Sequence, residues 1–165
     1  DRQHAIHPLT ISHGANVPLD GTTRFRHEFD WTGTRDPSAH CALPATVEHV
    51  GGLMNGGWSA IMEQNRALAL RGRAILCEAL GLEPPCPESM VASIATLILP
   101  LGDEEEVHPH LQDPLKDVLK STYCIQVPVW TWASPRGRFI RISAQLYNSE
   151  EEYRYLAWAL KQALS

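Results

Sequence analysis

Apolar positions recur with a helical period in two long stretches of the chain and with a strand period in three short ones. At the C-terminus, Tyr153, Leu156, Ala157, Leu160, Ala163 and Leu164 follow one another at spacings that keep them on a single helix face. Ser149 and Glu152 form a capping box ahead of that stripe, and Glu150 and Glu151 suit the positive end of a helix. A second helix is predicted over residues 58–80, with Trp58, Ile61, Met62, Leu68, Ile75, Leu76 and Ala79 as its stripe, interrupted by Asn65 and Gly72. Gly81 closes it, and the "EPPCP" that follows prevents its continuation.

Strand periodicity is sharpest in "FIRIS", where Ile140, Ile142 and Ala144 fall on one face and Phe139, Arg141 and Ser143 on the other. Further strands are predicted at 95–101 and 124–132, separated by an acidic, histidine-bearing loop at 102–112 and a short helix at 114–121. "SPRG" at 134–137 reads as the turn between the last two strands. Residues 1–36 read as short extended pieces, "AIHPLTIS" and "RFRHEFDWTGT", broken by turns. From Pro37 the pattern becomes helical, with Asp36 or Ser38 as cap and Pro44 early within it, until glycines 51, 52, 56 and 57 make a hinge. The sum predicts an α+β fold, a small, mostly antiparallel sheet with helices packed on one face.

With 165 residues and 44% hydrophobic content, the chain has enough apolar material for a real core. Fourteen basic residues stand against 19 acidic ones, a net charge of −5, and no long basic run occurs. That balance argues against a nucleic-acid partner. No apolar stretch approaches the roughly 20 residues that cross a bilayer, so no membrane partner is expected. The four cysteines lack CxxC spacing and have apolar neighbours, which suits reduced core thiols in a cytoplasmic protein. Asp1 opens the chain without a clear structural start, which reads as a fragment or a processed product.

Arg141 is the residue that demands an explanation. A guanidinium in a half-buried strand needs an anion, and either a protein carboxylate or a ligand can supply it. The strand pattern alone modestly favours a protein carboxylate. His108 and His110 near the acidic residues 103–106 are metal-ligand types, yet no further His or Cys arrives at zinc spacing, so a solvated loop is expected there. "GGLMNGG" at 51–57 follows a helix rather than a strand and makes a poor phosphate cradle. Arg24 and Arg26 could meet phosphate or simply project from a strand. Trp130 and Trp132 share a strand face and read as core or interface.

"SHG" at 12–14, "WTGTRDPSAHCALPA" at 31–45 and "RFIRISAQLYNSEEEY" at 138–153 together resemble the C-terminal part of class V aminotransferase-fold enzymes, which use pyridoxal phosphate. Within that superfamily the similarity is nearest to isopenicillin N epimerase-like proteins, with cysteine desulfurases and C–S lyases as relatives on the same chemistry. The resemblance implies that residues 1–50 are the tail of a large cofactor domain and 51–165 a small C-terminal domain. It implies that Arg141 holds the α-carboxylate of an amino-acid or small peptide substrate. Thr34, with Gly33 beside it, would reach the cofactor phosphate of the neighbouring subunit in a homodimer. Trp31 would flank that site, and His13 would lie in a loop near it. Apart from the resemblance, Gly-Thr-x-Asp-Pro is ordinary turn chemistry and a lone Trp beside a turn is usually packed. A pyridoxal enzyme also needs a lysine to carry the cofactor. Only Lys116, Lys120 and Lys161 occur, none in a matching context, so this chain alone is expected to be inactive. The rival expectation is a non-catalytic α+β module that binds a partner protein.

Overall fold

The computed structural model describes residues 2–31, 33–101, 113–133 and 136–164. They divide into two compact units, 1–46 and 47–165. The loop expected at 102–112 and the first half of the turn at 134–137 lie outside the described residues.

In the first unit the only α-helix that lies wholly within it, among the described residues, is α1, Arg24–Phe29. This segment was expected to be extended, because "RFRHEF" alternates polar and aromatic residues. Thr23 overrides that pattern: its side chain accepts the Arg26 amide at 3.3 Å and caps a helix. The helical spacing then stacks Phe25 on Phe29 with ring centroids 4.6 Å apart and pairs Arg26 with Asp30 at 3.0 Å. Helix α2, Ser38–Gly51, runs past the boundary between the units. Its cap is Asp36, whose carboxylate accepts the Ser38 amide at 2.9 Å.

The second unit is the α+β fold that the periodicity predicts. Strands β1 (Ile94–Leu99), β2 (Val129–Ala133) and β3 (Arg136–Ser143) form one antiparallel sheet in the order β1-β3-β2. Ala95 stands opposite Ile142, Leu97 opposite Ile140, and Val129 opposite Ile140 on the other side. These residues are buried beneath α3 (Gly57–Leu80), α4 (Pro114–Tyr123) and α5 (Glu150–Leu164). Each of the large core aliphatics contributes about 1.5–3 kcal/mol by leaving water. The opposite sheet face carries Ile98, Phe139 and Trp130, with Trp130 stacked on Phe139 at 5.6 Å. Trp130 is half-buried and Trp132 exposed there.

Helix α3 departs from the expected stripe. Trp58 and Met62 are exposed, whereas Asn65 and Gly72, the two apparent interruptions, are buried in line with Ile61, Leu68 and Leu76. Gly72 is required because a Cβ there would come within 2.9 Å of the Tyr153 ring and 3.0 Å of Ile142. Asn65 is held by its amide nitrogen, which donates to Gln145 at 2.9 Å. The glycine-rich link before α3 is tied by the Trp58 indole, which donates to the Val47 carbonyl at 3.0 Å.

The expected strand at 124–132 begins late. Cys124 instead caps α4 in the left-handed conformation, φ 55°, and pairing with β3 starts at Val129. Of the four free thiols, Cys77 is buried as expected and Cys86 half-buried, but Cys41 and Cys124 are exposed. Among the described residues no helix is long and apolar enough to cross a membrane.

Candidate functional site

The late start of β2 leaves a gap between residues 124–128, the end of β3 and the first turns of α5. A cleft of about 400 Å³ occupies it, with Cys124, Gln126, Arg141, Ser143, Tyr147 and Tyr155 among its walls. Arg141 is exposed, and its backbone amide donates to the Pro128 carbonyl at 3.1 Å. Its guanidinium has no acid or hydrogen-bond partner among the described residues.

A structural arginine of the kind considered for Arg141 does exist three residues earlier. Arg138 is in phase with Ile140 and Ile142, so strand geometry turns it inward. There its Nε donates to Asp113 at 2.7 Å, and a second guanidinium nitrogen meets the other carboxylate oxygen in a two-pronged pair. Asp113 is 5% exposed and Arg138 12%. The Asp113 carboxylate also accepts Thr131 at 3.0 Å and the Leu115 amide at 2.9 Å, which caps α4. Burial pushes this carboxyl's pKa up. The bonds from Arg138, the Leu115 amide and Thr131 outweigh burial, so the net displacement is downward from 3.8. Of these two β3 arginines, Arg138 is therefore saturated and Arg141 bare.

The wall formed by the end of β3 and the start of α5 is well tied. The Ser149 amide donates to Glu152 at 2.9 Å, one half of the expected capping box, and the Asn148 side chain donates to the same oxygen at 3.0 Å. Asn148 also accepts the Gln145 amide at 3.0 Å. Gln145 in turn accepts from Asn65 and from the Leu146 amide at 2.8 Å.

The other candidate residues belong to the first unit. Trp31, Gly33 and Thr34 follow one another between α1 and α2. Trp31 and Thr34 are exposed, and Gly33 has φ 112° with nothing within 4 Å of a Cβ placed on it. The Thr34 hydroxyl has no partner among the described residues. His13 starts a short 3-10 turn, His13–Asn16, and is exposed. Arg24 and Arg26 are engaged, the former by the Gly14 carbonyl and the latter by Asp30. None of Lys116, Lys120 and Lys161 lines the Arg141 cleft: the first two stand on α4 and the third on α5. No group of three or more metal-ligand side chains occurs among the described residues, and His108 and His110 lie outside them.

No known family profile matches the chain. Individual proteins do. An L-cysteine desulfhydrase from Arabidopsis thaliana is 27% identical over 176 residues, covering 95% of this chain and 36% of that protein. Isopenicillin N epimerase from Amycolatopsis lactamdurans is 31% identical over 173 residues, covering 98% of this chain and 40% of that protein. The chain is homologous to L-cysteine desulfhydrases and isopenicillin N epimerase. Both homologues are enzymes by name, and the chain spans less than half the length of each. The desulfhydrase and the epimerase match nearly the same share of the chain at comparable identity, so the epimerase does not stand apart as the expected nearest relative.

Proposed function

We propose that the chain is the C-terminal portion of a pyridoxal-phosphate-dependent enzyme acting on an amino-acid substrate, and that Arg141 receives the substrate's α-carboxylate. The observation that carries this reading is the bare Arg141 guanidinium in a cleft wall, beside an Arg138 that already owns a carboxylate. Arg141 is exposed in that wall, so its charge is open to an incoming carboxylate. The planar fork binds both oxygens of a carboxylate, fixing the rotation of the substrate as well as its place. When bound, the cofactor would supply an electron sink that makes bonds at Cα labile.

Its attachment is a separate matter. No lysine lines this cleft, so the residue that carries the cofactor is assigned to polypeptide beyond this sequence. Gly33 and Thr34 offer an open backbone and a free hydroxyl, which suit phosphate oxygens, and we assign them to the cofactor phosphate of a neighbouring subunit in a homodimer. Trp31 would flank it, and His13 has no assigned contact.

The reaction itself follows one of two branches. The desulfhydrase homologues favour C–S cleavage of a cysteine-like substrate, and the epimerase homologue favours inversion at Cα. Sulfide release from L-cysteine, against a change of configuration in a peptide substrate, separates them. In the full-length enzyme, Arg141→Ala is expected to raise KM about 10- to 100-fold, the loss of a charged hydrogen-bonded contact, with the visible absorbance of the cofactor intact. An unchanged KM would remove Arg141 from the site.

A further inference from the structure

β3 is the central strand of the sheet, yet its last residue has a neighbour on one side only. The Arg141 amide points toward β2, donating to Pro128, and the Ala144 amide points toward β1, donating to Ser93 at 2.8 Å. Amide direction alternates along an antiparallel strand, so the Ser143 N–H and C=O point the same way as those of Arg141. β2 has not yet begun at that level, and this side of Ser143 opens on the cleft. The Ser143 carbonyl accepts the Tyr153 hydroxyl at 2.8 Å. Its amide and its side-chain hydroxyl have no partner among the described residues.

Two unused donors thus stand two residues from the Arg141 guanidinium. The side chains of residues 141 and 143 leave the same sheet face about 7 Å apart, a gap that the flexible arginine stem can close over a small anion. The Ser143 backbone is held at its carbonyl, on the peptide that follows the free amide. Tyr153 is buried, its ring lies against Gly72 with no room for even a methyl group between them, and its hydroxyl is directed at Ser143. Burial pushes the Tyr153 phenol up from its ordinary value, so it stays protonated and donates across the neutral pH range.

We propose that Ser143 is a second carboxylate-binding residue, its hydroxyl and amide meeting the anion that Arg141 holds, and that Tyr153 is the positioning residue that aims it. The proposal rests on the assignment of Arg141 above and extends the site from one charged donor group to a three-donor cradle. It explains why a buried tyrosine hydroxyl is spent on this one carbonyl, the carbonyl whose peptide borders the cleft.

The test uses the full-length holoenzyme and 3-mercaptopropionate, which has a carboxylate and a thiol but no amine to react. Its Kd, measured by calorimetry, is expected to rise about fivefold in Ser143→Ala and Tyr153→Phe, the loss of one charge-assisted hydrogen bond. Ser143→Thr restores binding, and the Ser143→Ala/Tyr153→Phe double variant is no worse than Tyr153→Phe alone, because Ser143→Ala removes only the hydroxyl while Tyr153 positions the hydroxyl and the amide together. Ethanethiol, which lacks the carboxylate and likewise has no amine to react, binds all of them alike. A merely structural Tyr153 would lower the melting temperature without that selectivity. If Arg141→Ala weakens 3-mercaptopropionate while Ser143→Ala and Tyr153→Phe leave it unchanged, Ser143 is overturned and Arg141 stands. If the parent enzyme does not bind the probe, or Arg141→Ala has no effect, the carboxylate site itself is overturned. Ser143 is exposed, so Ser143→Ala decides even if Tyr153→Phe fails to fold.

Discussion

Arg138 and Arg141 show how much a difference of phase decides at the level of single residues. Both sit on one strand, but only the inward one finds a buried acid, and leaving either partner alone would be costly. Asp113→Ala is expected to destabilise the protein by about 3–5 kcal/mol, read from a urea midpoint, because it strands a nearly buried guanidinium. The pH dependence follows from the lowered carboxyl. A folded pKa below 3.8 means that the unfolded chain binds protons first, so this contribution is complete above about pH 5 and fades as pH falls through 3.8 and below. Asp113→Asn should abolish that part of the acid sensitivity in the same urea titration. The two faces of β3 were legible in the alternation, since Ile140, Ile142 and Ala144 are all buried. The Asp113 partner was not, because it lies 25 residues upstream of Arg138 and no local pattern links the two.

Helices and strands were legible where one periodicity ran unopposed. Four of the five buried residues of α5, Tyr153, Leu156, Ala157 and Leu160, lie on the stripe the spacing marks, and Ala159 is buried beside it. α1 was misread because a two-residue alternation and a four-residue aromatic spacing coexist in "RFRHEF", and the Thr23 cap settled the conflict. In α3, the polar and small residues that looked like gaps are contact points, Asn65 for Gln145 and Gly72 for Tyr153. Gly72→Ala, which would raise helix propensity at an exposed site, is therefore expected to destabilise by about 1–3 kcal/mol through overpacking against Tyr153 and Ile142. A thermal melt checks the sign. Cys124 hid the late start of β2, because a non-glycine residue in the left-handed region gives no sequence signal for a helix stop.

At the scale of the whole chain, the terminal segments were legible as a resemblance, and the homologues agree with its coarse outline. They divide between desulfhydrases and an epimerase at comparable identity. On the reading proposed above, the lysine that carries the cofactor is none of Lys116, Lys120 and Lys161. Incubated by itself with pyridoxal phosphate, this chain is expected to show no bound-cofactor absorbance at stoichiometric concentration and no turnover of L-cysteine, while the full-length enzyme shows the absorbance. The short β2 has a last consequence. A strand that is interior for most of its length becomes an edge at Ser143, so deuterium from the solvent would enter that amide early, while the Ile142 amide beside it, turned toward β1, would stay protected.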